Sequence, residues 1–499
     1  MARPGVMYAI GGISEPPPSE GVALNRPELR PELADVGRLL RRGVRKAVGI
    51  ARADESNVLG DMVREHLTGA DPEPSVVRET WPGYEHVNVQ AGLEAWLAEP
   101  GRDHRLIGVI GYQHRPFGLA ELLGDLGGGP VDPFGPRPGA VSRVNLSSGP
   151  QGQVSSCVRC GIYLVTERDL RTVVLLRGSD PESGVPGVTV EVIASRSGVA
   201  EPVAVRIREL GLEHNVFRGQ VLSFGQQMFG PGDALMQFHP RPDLDAHDLV
   251  LPDAVIDTVR RQVLEVARHS GRLLAAGQHL KRGLLLYGPP GVGKTHTVRY
   301  LLSQLHGTTV IQLSGQAIHL IEAACSVARA LQPAMVVVED VDLIAEERGM
   351  HPGQHPMLFQ LLNEMDGLAE DADVVFVLTT NRADLLEPAL AARPGRVDQA
   401  VELALPDADA RRRLFELYRG SLAVDTSGLD DVIARTEGVT ASFLKELLRR
   451  AALFAAERTP DDAGPLALSA GDVSGALDEL LATHNAMTRM LLGATSPPG

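Results

Sequence analysis

Eight residues constrain this chain more than any other feature. Gly288-Pro289-Pro290-Gly291-Val292-Gly293-Lys294-Thr295 reads G-x-x-x-x-G-K-T at every position. The apolar run Leu284-Leu285-Leu286-Tyr287 precedes it, and a helical pattern over Thr297–Leu305 follows. A chance glycine-rich turn would lack that order. Glycines let the backbone wrap an anion with its N–H groups. The helix N-terminus adds partial positive charge. Lys294 is expected to reach β- and γ-phosphates, and the Thr295 hydroxyl to ligate Mg²⁺. The ligand implied is ATP with Mg²⁺, and the cofactor-binding residues are Gly288 to Thr295.

The surrounding pattern places this loop in an α/β fold. Apolar runs at Gly283–Tyr287, Thr309–Leu313, Ala334–Val338 and Val374–Thr379 alternate with helical stretches, as in a parallel sheet flanked by helices. An amphipathic helix, Pro252–His269, opens this large domain, assigned to 246–405. A small all-helical lid is expected over 406–492, from Ala408–Tyr418, Leu429–Thr436, Ala441–Glu457 and Gly471–Leu492, with Ser469 as an N-cap. Residues 493–499 read as a tail.

The amino-terminal half is expected to be α+β. Residues 1–115 read as mostly helical, with a basic amphipathic helix over Leu33–Ala51. Its basic face suits solvent or an acidic partner. Residues 116–156 read as a Gly/Pro-rich linker. A β-rich module is expected over 157–245, from runs at Gly161–Val165, Thr172–Leu176, Val188–Ile193, Val203–Ile207 and Val216–Phe224.

Bulk properties narrow the function. At roughly 100–200 residues per domain, 499 residues suggest about three domains. A net charge of −15 makes nucleic acid a poor default partner. Three cysteines make no disulfide framework. Cys157 and Cys160 form a lone C-x-x-C with no second ligand pair nearby, so a structural role leads over zinc or redox chemistry. The start has no signal-peptide pattern, and no apolar run is long enough to span a membrane. A cytoplasmic protein without a membrane segment is expected.

Met335-Val336-Val337-Val338-Glu339-Asp340-Val341-Asp342 is an apolar strand ending in acids, suited to a metal and an attacking water. With that segment, residues 283–405 resemble an AAA ATPase module, of the P-loop AAA+ superfamily. Relatives usually carry Asp-Glu at this strand end and some carry Glu-Asp, the order of Glu339-Asp340 in this chain. By position, the resemblance assigns the metal role to Glu339, beside Thr295, and the catalytic-base role to Asp340. The two acids differ in reach by about one carbon–carbon bond, roughly 1.5 Å, and a misplacement of about 1 Å can cost ~10²-fold in rate. Either the strand has shifted to compensate or hydrolysis is slow.

The resemblance continues past the strand. Thr379-Thr380-Asn381-Arg382 resembles the first sensor, in which Asn381 orients water. Leu390-Ala391-Ala392-Arg393-Pro394-Gly395-Arg396 resembles the segment whose two arginines, Arg393 and Arg396, reach a neighbouring subunit's γ-phosphate. The resemblance therefore implies a ring of copies, a hexamer, acting on a protein substrate or adaptor recruited by residues 1–245. Gly438-Val439-Thr440-Ala441-Ser442-Phe443 stands where relatives approach adenine. Relatives carry an aromatic pore loop after the second strand. Here Ser314–Glu322 has no aromatic residue, and Ile318-His319-Leu320 suits a loop tip or a core-facing helix start. The loop from Gly349 to Pro356 holds His351 and His355, which read as solvated. The expected function is an ATP-hydrolysing motor that remodels, disassembles or unfolds proteins. A nucleic-acid-handling ATPase and a slowly hydrolysing nucleotide-gated scaffold are the alternatives.

Overall fold

In the computed structural model, the described residues are 58–71, 75–111, 117–124, 135–180, 187–226, 234–342, 356–384, 396–458 and 466–482. The basic helix expected over Leu33–Ala51, the histidines 351 and 355, Arg393 and the tail 493–499 lie outside them.

The first sheet is antiparallel throughout. Its strands are β1 (Val77–Pro82), β2 (Arg102–Ile110), β3 (Arg137–Gly139), β6 (Cys160–Glu167), β7 (Leu170–Arg177) and β8 (Gly187–Ala194), ordered β1-β8-β7-β6-β2-β3. A hairpin of β4 (Arg143–Ser147) and β5 (Val154–Val158) stands beside it. All eight residues of β8 are buried, because helices cover both faces of the sheet. On one face, α2 (His86–Leu97) and α4 (Ala200–Glu213) bring Leu93, Trp96, Ile207 and Leu210 onto Val174 and Val190. On the other, α1 (Val58–His66) and α3 (Leu119–Leu123) bring Leu59, Val63 and Leu119 onto Ile162 and Leu175. Continuous apolar strands follow from burial on two sides rather than one.

Several amino-terminal expectations are corrected here. The β-rich module does not begin at 157: its sheet starts at β1, inside the region read as mostly helical. The span read as a linker, 116–156, supplies α3, β3, β4 and most of β5. Its strands are short and turn-rich, so composition hides them. Val203–Ile207 is helical, not a strand. Its β-branched residues suggested period two, yet Ala200, Ala204, Ile207, Leu210 and Gly211 are the buried face at helical spacing.

The second sheet is parallel except at one edge. Its strands are β9 (Val221–Gln226), β10 (Ala234–His239), β11 (Arg282–Tyr287), β12 (Thr309–Leu313), β13 (Ala334–Val338), β14 (Val374–Thr380) and β15 (Gln399–Glu402). Their order is β10-β9-β12-β13-β14-β11-β15, with only β10 antiparallel to its neighbour. Thus β14 lies between the strand before the glycine loop and the strand that ends in acids. Leu284, Leu286, Val337 and Val377 face α5 (Asp253–Arg260) and α6 (Lys294–Gln304). Leu285, Val336 and Phe376 face α7 (Ile321–Ala330) and α8 (Pro356–Asp366). The lid packs α9 (Ala408–Arg419), α10 (Leu429–Arg435), α11 (Ala441–Arg458) and α12 (Ala470–Leu481) around Phe415, Phe443, Leu447 and Leu477. Ser469 caps α12 in a reciprocal capping box with Asp472, as its sequence position predicts.

The sequence boundary at 245/246 also moves. β9 and β10 belong to the parallel sheet, where β9 pairs with β12 at Val221–Val310, Leu222–Ile311 and Ser223–Gln312. Arg241 then fastens the hairpin. Its guanidinium donates to the carbonyls of Leu302 at 2.7 Å, Gly219 at 3.0 Å and Thr308 at 2.9 Å.

Helices α2 and α4 meet at glycines. A Cβ on Gly92 would lie 2.5 Å from the Ile207 carbonyl oxygen and 2.6 Å from the Gly211 amide. Both obstacles are backbone and cannot rotate away. Gly92→Ala should therefore destabilise the fold by about 1–3 kcal/mol, as overpacking does, measured by urea unfolding. Gly271→Ala, which meets nothing within 4 Å, should leave the midpoint unchanged or raised.

Candidate active site

The site forms at the carboxyl ends of β11, β13 and β14, where open parallel sheets bind ligands. The glycine loop leaves β11 with three residues at positive φ: Gly288 at 149°, Gly291 at 82° and Gly293 at 109°. A Cβ on Gly288 would sit 2.2 Å from the Leu403 carbonyl oxygen, so glycine is demanded there by space as well as by φ. Gly293 is the N-cap of α6, and Lys294 is its first residue.

Lys294 is 7% exposed. Its ammonium donates to the carbonyls of Gly288 at 2.8 Å and Pro289 at 2.9 Å, and to Asn381 Oδ1 at 2.8 Å. Burial lowers its pKa, while Asp340 and Asp342 pull the other way. Asn381 extends the chain of contacts: its Nδ2 donates to Asp340 Oδ1 at 3.2 Å. Lys294, Asn381 and Asp340 therefore come together because β14 stands between β11 and β13.

The two acids occupy different positions. The Glu339 carboxyl is hydrogen-bonded to Thr295, and burial and then the charge of Asp340 push its pKa up against that bond. Asp340 has φ 52°, in the left-handed region. Aspartate tolerates that region better than most residues with a Cβ, glutamate included. The turn is held by its amide donating to Thr379 Oγ1 at 3.1 Å and by the Val341 amide donating to the Thr379 carbonyl at 2.9 Å. The shorter acid thus stands where the backbone turns left-handed.

Asp342 belongs to the same network, though no role is legible for it in the sequence. It is 7% exposed. Its Oδ1 accepts from Thr380 Oγ1 at 2.8 Å and from the Asn381 amide at 3.1 Å. The signal was its place at the end of the acidic run, two residues after Asp340. Its hydrogen-bond partners on β14 lie far along the chain.

Other expected site residues are placed elsewhere. Arg396 sits beside the start of β11, since a Cβ on Gly283 would be 2.1 Å from its carbonyl oxygen. That is five residues of extended chain, about 17 Å, from the start of the glycine loop of its own chain. Its guanidinium is held by Asp366, with Nε at 2.8 Å from Oδ1 and Nη2 on Oδ2. Asp398 accepts from the Gly283 amide at 2.7 Å and pins the same segment. The lid reaches the glycine loop through Ser442, whose amide donates to the Gly291 carbonyl at 3.2 Å; Phe443 is wholly buried in the lid. Gly315–Leu320 is a 3-10 turn with Ile318 at 3% exposure in the core, so this segment is a core-facing helix start. Cys157 and Cys160 are wholly buried in different apolar clusters, and burial pushes both thiols up to about 12. Neither a shared metal nor an exchangeable thiol pair suits that arrangement.

The residues present fit a magnesium nucleotide. Three positive-φ glycines shape a backbone cradle, a buried ammonium lies under it, and a hydroxyl and carboxyl meet beside it. The sequence pattern of the AAA family, ATPases associated with various cellular activities, matches residues 284–405. The ATP-dependent zinc metalloprotease FtsH 3 of Symbiobacterium thermophilum is 30% identical over 279 residues, 52% of this chain and 44% of that protein. FtsH 2 of Sphaerobacter thermophilus is 35% identical over 206 residues, 39% and 31% of the two chains. The chloroplastic FTSH 2 of Oryza sativa subsp. japonica is 30% identical over 274 residues, 51% and 39%. The chain spans less than half the length of these relatives.

Asp342→Ala leaves the Thr380 hydroxyl and the Asn381 amide without their acceptor. It should cost about 1–3 kcal/mol in denaturant unfolding. Asp342→Asn keeps an oxygen for both and should recover most of that loss.

Proposed function

We infer that this chain, whose residues 284–405 are an AAA ATPase domain working with ATP and Mg²⁺, hydrolyses ATP to drive mechanical work on protein substrates as a ring of copies. The observation that carries the reading is the linked set Lys294, Asn381 and Asp340, with Glu339 on Thr295 beside it. Similarity to ATP-dependent proteases favours polypeptide over nucleic acid as the substrate class.

Each residue has a distinct part. The loop amides from Gly288 to Thr295 bind the phosphates, and Lys294 turns from its carbonyl partners to the β- and γ-phosphates. Thr295 and Glu339 hold Mg²⁺. Bound ATP·Mg²⁺ supplies the phosphoanhydride bond and the metal charge that offsets its anionic oxygens. Asp340 accepts the proton of the attacking water, which Asn381 orients. Asp342 keeps the Asn381 loop in register with Asp340. Arg396, too far from its own glycine loop, and Arg393 serve a neighbouring copy. For that, Arg396 exchanges Asp366 for phosphate oxygens. Such a finger contributes 10³–10⁵-fold in nucleotide hydrolases at large, as an order of magnitude.

The relatives' names also carry zinc peptidase activity, which this reading leaves out. The sequence contains no H-E-x-x-H. Among the described residues no three His, Cys, Asp or Glu side chains gather as a metal site. No described helix is long and apolar enough to cross a membrane. The amino-terminal sheet module is the candidate for substrate recruitment.

Turnover per chain should rise with protein concentration as mass measurements register assembly. Lys294→Ala should lose nucleotide binding, and Asp340→Asn should bind ATP but turn over at least ~10²-fold more slowly. Arg396→Ala mixed with Lys294→Ala should recover part of the activity that each lacks alone. ATP binding with negligible turnover at every concentration would replace the motor by a nucleotide-gated scaffold.

A further inference from the structure

A cavity of about 210 Å³ lies between the amino-terminal sheet module and α7 of the ATPase domain. None of the nucleotide-site residues lines it. Trp81, Ile207, Val327 and Leu331 form apolar walls, and Tyr84, Glu85, Asn88 and Asn215 supply its polar groups. Two of these groups, Asn215 and Tyr84, line the cavity with hydrogen-bonding capacity to spare. Asn215 is 9% exposed. Its Oδ1 accepts from the Phe217 amide at 2.9 Å, while its Nδ2 has no partner among the described residues. Tyr84 stacks edge-on against Phe224, and its hydroxyl likewise has no partner among them. Glu85 accepts from Asn88 Nδ2 at 2.7 Å, and Asn88 Oδ1 is used by the Val216 amide.

Charge distinguishes the occupant. Arg208 also lines the cavity, but its guanidinium is paired with Glu79 at 3.0 Å. Among the described residues, Glu85 therefore has no cation of its own. Burial pushes its pKa up and the Asn88 hydrogen bond only partly opposes this. A positive ligand would reverse that cost. A cavity of about 150 Å³ accommodates benzene, so this one has room for a ring with a short side chain.

We propose that this cavity binds a small organic cation, an ammonium on a single ring or a branched apolar body. Its charge faces Glu85, its acceptor-seeking neighbours Asn215 and Tyr84 take any oxygen it carries, and its apolar part lies against Trp81 and Leu331. Bound there, it braces β1 and α4 against α7 and stabilises the junction of module and motor. The site stands whether or not the chain hydrolyses ATP.

Phenethylamine titrated into the full chain, by calorimetry and by thermal unfolding, tests this directly. The expected result is one site per chain and a raised Tm, with no binding of phenylacetate and weaker binding of the neutral 2-phenylethanol. Glu85→Gln, which keeps an oxygen for Asn88, should weaken phenethylamine at least about tenfold, the scale of one charge-assisted hydrogen bond. Leu212→Trp, at the 42% exposed rim, should block entry without touching the core. Absence of heat and of a Tm shift at millimolar phenethylamine would mean a void filled by water alone and would overturn the proposal. Equal affinity for phenylacetate, or for Glu85→Gln, would do the same.

Discussion

The Lys294 ammonium is the interaction on which the functional half depends. A cation buried beneath a glycine loop must be solvated by something, and here carbonyls of the loop and Asn381 Oδ1 do it. That requirement ties the loop after β11 to the end of β14. Asn381 then ties β14 to Asp340 at the end of β13, and Asp342 returns from β13 to β14. Three strand ends are thus linked through side chains. Among the described residues, Asn381 is the one side chain that touches both the lysine under the loop and the acid at the end of β13.

The same economy extends to the edge of the sheet. An exposed parallel edge at β12 would present unpaired backbone groups. β9 pairs with it and β10 covers β9. Since β9 follows α4 closely in the chain, the amino-terminal module is joined to the parallel-sheet domain by the chain itself and by a core that runs from Val87 and Phe217 to Ile311 and Val336. The module and the parallel sheet therefore share one continuous apolar core.

Legibility in the sequence followed the locality of the signal. The glycine loop, β11, the acidic strand end and the capped α12 are each specified by residues within a few positions of one another, and each lies where local pattern put it. The amino-terminal sheet was harder. Its buried strands resemble those of a parallel sheet because helices cover both faces, and Val203–Ile207 imitates a strand while Ala200, Ala204 and Ile207 share a helix face. Residues 221–239 were read with the module that precedes them, since nothing in a strand's own composition says which sheet will accept it.

By itself, the sequence determined the glycine loop, the acids that accompany it, the helical lid and the resemblance of residues 284–405 to the AAA family. These depend on residue type at short spacing, through φ, charge and amphipathic period. Tertiary structure decided that β14 stands between loop and acids, that Asp340 turns left-handed while Glu339 meets Thr295, that Asp342 holds Asn381, and that Arg396 lies a strand length from its own loop. Each of these joins residues tens of positions apart. Their proximity arises from strand order and hydrogen-bond register, which only the folded chain defines.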